Sequence, residues 1–99
     1  MYLDRGEMMN IDDMKLNYLR NNTSLSPINR IKLYKLKKHN VSENEIKMAE
    51  YAYRFMAFEN SLYKMWKQYD IGNTEDMSLR QFAEHMIEQE VYKQQSKMR

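Results

Sequence analysis

A single proline and two glycines in ninety-nine residues leave this chain few places for a tight reversal. Sheets of this size need repeated hairpins, and the favoured hairpin turns draw on glycine at backbone angles other residues avoid. The scarcity therefore predicts an all-α chain folded as a compact bundle of about four helices. Its length suits one domain with its own apolar core. A composition of 42% apolar and 30% charged residues is that of a globular chain and argues against wholesale disorder.

Local signals place the helices at approximately 11–21, 27–39, 43–69 and 79–94. Asn10 is the expected N-cap of the first, with Asp12 and Asp13 at the positive end of its dipole. Ile11, Met14 and Tyr18 share a face there, with Leu19 beside them, and Asn21 to Ser24 read as a turn. Ser26-Pro27 opens the second helix with a capping hydroxyl and a proline in the first helical position. Its apolar residues Ile28, Ile31, Leu33, Tyr34 and Leu36 do not gather on one stripe. The alternation across residues 31–33 would even suit a short strand, but no partner strand is evident.

The third helix is the strongest expectation. Ser42-Glu43-Asn44-Glu45 has the form of a capping box, and no glycine or proline follows until Gly72. Two adjoining apolar faces are expected on it. One carries Ile46, Ala49, Tyr53, Met56 and Tyr63; the other carries Ala52, Phe55, Phe58, Leu62, Met65, Trp66 and Tyr69. So wide an arc suits a central helix with several neighbours. Asp70 to Thr74 should end it, with Gly72 or Asn73 in a left-handed conformation. Ser78 and Gln81 offer a second capping box for the last helix, whose inward stripe is Leu79, Phe82, Ala83, Met86, Ile87 and Glu90. The domain expected is 10–95, followed by a frayed 96–99.

Residues 1–9 read as a disordered or misassigned N-terminal extension. Asp4-Arg5-Gly6-Glu7 before Met8-Met9 is compatible with a purine-rich ribosome-binding sequence ahead of two start codons. That reading puts the source in a bacterium or phage. No apolar run reaches the length of a membrane span, so a cytoplasmic protein is expected.

Reactive groups are sparse. The absence of cysteine excludes disulfides and thiolate zinc. His85 with Glu84, Glu88 and Glu90 lacks the Glu-x-x-His order and the matched glutamates of a di-iron bundle. Asp70 to Asp76 places Gly72 third, where a calcium loop needs glycine sixth. Two widely separated glycines make no phosphate-cradling loop, and the serines sit where helix caps belong, without a histidine to activate them. No catalytic, metal or cofactor-binding residue is assigned, and no cofactor is expected.

Charge is the remaining signal. Residues 14–42 hold no carboxylate but seven cations, Lys15, Arg20, Arg30, Lys32, Lys35, Lys37 and Lys38, in a chain whose net charge is +2. Such a segment can meet an acidic protein surface or nucleic acid phosphates. The expected partner-binding residues are Arg30, Lys32, Tyr34, Lys35, Lys37 and Lys38, in a non-enzymatic inhibitor, adaptor or antitoxin-like regulator. Surplus apolar surface on the second and third helices also makes a homodimer plausible. The alternative is a DNA-binding regulator using a helix-turn-helix-like segment around 28–58. There the third helix would enter the major groove, but Glu43, Glu45 and Glu50 oppose phosphates, and Asn44, Lys47 and Arg54 are few donors.

Overall fold

The computed structural model of the chain describes residues 10–72 and 77–97. Four helices follow one another: α1 Ile11–Asn22, α2 Pro27–Lys38, α3 Glu43–Gly72 and α4 Leu79–Lys97. Residues 31–33 are helical, and no strand occurs among the described residues. The expected extension at 1–9, Asn73 to Asp76, and the last two residues lie outside them.

Each helix starts where its capping chemistry is local. Asn10 Oδ1 accepts from the Asp13 amide at 2.8 Å, and Ser26 Oγ accepts from the Asn29 amide at 3.2 Å. Ser78 and Gln81 form the full reciprocal box, each side chain accepting from the other's backbone amide at 3.0 and 3.1 Å. At Ser42 only half of the expected exchange forms. Ser42 Oγ accepts from the Glu45 amide, but the Glu45 carboxylate returns to the serine hydroxyl at 3.0 Å rather than to its amide.

Helix ends were harder to place from sequence. Gly72 lies within α3, and no described glycine has positive φ. Among the described residues the left-handed one is Asn40, with φ 57°, and the other expected position, Asn73, lies outside them. α1 runs one residue further than expected and α4 runs on to Lys97. Side chains prolong α1: Asn22 Nδ2 donates to the Tyr18 carbonyl at 2.8 Å, and Thr23 Oγ1 donates to that of Leu19 at 2.6 Å. These are carbonyls the helix end would otherwise leave unpaired.

α3 is the axis of the molecule. α1 packs on α3 and α4, α4 packs on α3, and α2 packs on α3 alone. The result is a slab of 46 × 39 × 18 Å. Its core joins Met14 and Leu19 of α1, Phe55, Phe58 and Leu62 of α3, and Phe82, Ala83, Ile87 and Val91 of α4. Leu19, Ile87 and Val91 are sealed from solvent, each burial contributing about 1.5–3 kcal/mol. Leu16 and Val91 are buried beyond the expected stripes, whereas Ile11, Tyr18, Leu79 and Met86 only pack against the core margin.

The expected double face of α3 is corrected by its neighbours. α1 lies along Lys47, Glu50, Arg54 and Phe58, marked by a Lys47–Asp13 pair at 3.4 Å and an edge-on Tyr18–Phe58 contact at 5.7 Å. α4 lies along Glu59 and Trp66: Arg80 is 3.7 Å from Glu59, and the Trp66 indole donates to the Met77 carbonyl at 2.7 Å. α2 lies along Ile46 and Tyr53. Among the described residues nothing covers the fourth side, where Ala52, Met56 and Tyr63 are exposed rather than core; Met65, also exposed, stands on the opposite side beyond α1.

Candidate partner-binding face

α2 begins on the Ser26 cap and Pro27, and its end is set by the turn that follows. The Asn40 amide donates to the Lys37 carbonyl and the Val41 amide to that of Leu36, both at 3.4 Å. With Asn40 left-handed this is a Schellman termination, in which asparagine takes the position glycine usually fills. Val41 and Leu36, which such a turn brings together, are both half-buried. Lys35, Lys37 and Lys38 occupy the last turn, where cations also complement the helix dipole.

Only Leu33 of α2 is buried, while Asn29 and Leu36 are half-buried along the same side. The opposite side carries Ile28, Ile31 and Tyr34 at 66%, 54% and 58% exposure. At about 100° per residue, Lys35 and Lys38 fall on the same outer arc, while Arg30 stands at its margin, about 20° from Lys37. The usual amphipathic arrangement is thus disturbed: large apolar side chains stand outward among cations. Lys38 Nζ sits 5.3 Å from the Tyr34 ring centroid, and Arg30 Nε donates to the Leu25 carbonyl at 3.3 Å.

All six residues expected from sequence are exposed, but the fold divides them. Tyr34, Lys35 and Lys38 share the outer face, and Arg30 stands at its margin on the side of Lys37. Lys32 turns to one flank, 6.0 Å from the Tyr53 ring. Lys37 turns to the other and lines a groove with Arg20, Val41, Glu43, Ile46, Lys47 and Glu50. Ile28 and Ile31 join the face although charge counting did not select them. The signal was present in the sequence: an apolar set that refuses to form one stripe leaves some members outside.

None of the five α2 cations forms an ion pair with a carboxylate among the described residues. Other cations are committed: Lys15 to Glu88 at 3.7 Å, Lys47 to Asp13, and Arg80 to Glu59. Arg20 leaves the basic segment altogether. Its Nε and Nη2 donate to the two oxygens of Glu50 at 2.8 and 2.7 Å, and Arg54 Nε donates to Glu50 Oε2 at 2.7 Å. Arg54 also reaches the Thr23 carbonyl and hydroxyl, at 3.1 and 3.2 Å. The hydrogen bonds from Arg20 hold the Glu50 carboxyl down at about 2, against its burial, and Arg54 adds to the effect. Glu50 and Arg54 are therefore spent on each other and on α1, and are not presented to a nucleic acid as a helix-turn-helix reading requires.

The aromatic residues divide similarly. Phe55 and Phe58 are buried, Tyr51 and Tyr53 are half-buried, and Tyr63 is exposed beneath Lys67, 5.5 Å from its ring. Burial, then Glu84, Asp12 and Glu88, push the Tyr51 hydroxyl above its ordinary pKa. The Tyr69 side chain lies outside the described set. No three His, Cys, Asp or Glu side chains converge as a metal site among the described residues, and no described helix is long and apolar enough to cross a membrane.

The fold is that of an all-α helical bundle. No family model, no curated protein and no solved structure matches the chain.

Proposed function

We infer that the protein is a small non-enzymatic regulator that binds an acidic protein surface through the outer face of α2. An inhibitor, adaptor or antitoxin-like role in the cytoplasm of a bacterium or phage-infected cell fits this reading. One observation carries it: Ile28, Ile31 and Tyr34 stand exposed among Lys35 and Lys38, with Arg30 at the margin, and these cations have no carboxylate partner among the described residues. Unpaired cations steer an acidic partner and set its register. Outward isoleucines and tyrosine supply the desolvated contact that gives affinity.

The same cations favour a second reading, a nucleic acid ligand, since phosphates reward any unpaired lysine. The isoleucines count against it, because a phosphate-facing surface gains nothing from them. Glu43 and Glu45, exposed in the first turn of α3, oppose groove entry.

The test is capture of a stoichiometric partner from the native host by wild type, Lys35→Glu/Lys38→Glu and Ile31→Ser. Both variants should lose it, and only wild-type binding should weaken with salt. If duplex DNA is retained at low salt instead, and Ile31→Ser binds as wild type does, the nucleic acid reading replaces this one.

A further inference from the structure

The uncovered side of α3 has an order of its own. At about 100° per residue it carries Glu45, Ala49, Ala52, Met56, Asn60, Tyr63 and Lys67, all exposed except half-buried Ala49. Met56, at its middle, is 59% exposed, Tyr63, one turn before Lys67, is 45% exposed, and Met48, at its edge, is 65% exposed. The charges stand at its two ends, and they are opposite. Glu45 and Lys67 each lie eleven residues from Met56, about 16 Å along the helix in either direction.

We propose that this stripe is a dimer interface, on which α3 of a second copy lies antiparallel about a twofold axis at Met56. A twofold makes each contact reciprocal. Glu45 of one copy then meets Lys67 of the other, twice. Ala49 faces the other copy's Tyr63, so a small side chain receives a large one. Ala52 faces Asn60, and Met56 faces its own symmetry mate. Alanines at these positions let the helix axes close to the usual 8–10 Å.

Charge selects the antiparallel arrangement. A parallel pair would set Glu45 against Glu45 and Lys67 against Lys67. Neither end is otherwise neutralised by an ion pair among the described residues: Glu45 accepts from the Ser42 hydroxyl through one oxygen, and Lys67 rests over Tyr63. The outer face of α2 is a poor alternative seat for a second copy, since a twofold there would bring cations together. Antiparallel pairing keeps the two α2 helices apart, each flanking the first half of its own α3, and leaves both outer faces open.

Sedimentation should give a dimer of twice the 12.2 kDa chain mass. Met56→Asp should sediment as a monomer. Glu45→Lys and Lys67→Glu should each dissociate the dimer, and the double variant Glu45→Lys/Lys67→Glu should restore it. Restoration separates the pairing from any damage to the Ser42 cap, which the second change cannot repair. Because the chain has no cysteine, Met56→Cys gives a clean symmetric probe. It should cross-link on mild oxidation, while Gln81→Cys on α4 should not. A wild-type monomer up to millimolar concentration overturns the proposal. So does a dimer that survives Met56→Asp, or one that the double charge swap fails to restore. Lys35→Glu/Lys38→Glu should leave the mass unchanged, so failure here and failure of partner binding are told apart.

Discussion

Glu50 shows how much one side chain contributes here. It is the buried carboxylate of the described core, held by Arg20 from α1 and Arg54 from its own helix. Removing it leaves Arg54, with a side chain only 15% exposed, without its charge partner. Breaking such a pair costs about 3 kcal/mol. Glu50→Ala should therefore lower unfolding free energy by that order in urea titrations followed by Trp66 fluorescence. The pH dependence has a definite sign. The folded carboxyl titrates near 2 against an ordinary 4.5, so its contribution is present above 4.5 and lost as pH falls toward 2. Wild-type stability should thus fall more steeply than that of Glu50→Gln between pH 5 and pH 3, and equal slopes would refute the clamp. Sequence shows the Glu50–Arg54 spacing as an ordinary helical pair. It cannot show Arg20, which lies thirty positions away, and so Glu50 reads there as an outward acid.

At the scale of the element, legibility depends on range. The caps at Asn10, Ser26, Ser42 and Ser78 are decided within three residues, and all four are legible from the chain alone. Which face of α2 is buried depends on where α3 lies, and no local pattern contains that. A left-handed turn at Asn40 ends α2 and is not marked by any glycine, while Gly72 stays within α3 and the other expected position, Asn73, lies outside the described residues. Asn40→Gly should be neutral or stabilising by up to ~1 kcal/mol, and Asn40→Val destabilising by about 1–2 kcal/mol, in thermal melts. α2 has a single buried side chain and a single neighbouring helix. Its amides should accordingly exchange with solvent well before those around Leu62 and Ile87, which belong to the common core. Equal protection in hydrogen exchange would mean that α2 opens only with the whole domain.

For the whole molecule, the all-α bundle was legible from the scarcity of proline and glycine and from helical spacing in α4. The uncovered side of α3 was not, since Ala52 and Met56 look like core until three neighbours are placed and a fourth is missing. The candidate site was half legible: its cations are plain in the sequence, its isoleucines only in the fold. The proposed function rests on the outer face of α2, which combines cations lacking a carboxylate partner among the described residues with exposed apolar area. The most direct measurement replaces Ile31, Tyr34 or, as control, Gln89 of α4 with a photo-cross-linking amino acid in the native host. The two α2 positions should capture the same acidic protein in one-to-one adducts, and Gln89 should capture none. Adducts from Gln89 alone, or none from either α2 position under any growth or infection state, would contradict the assignment.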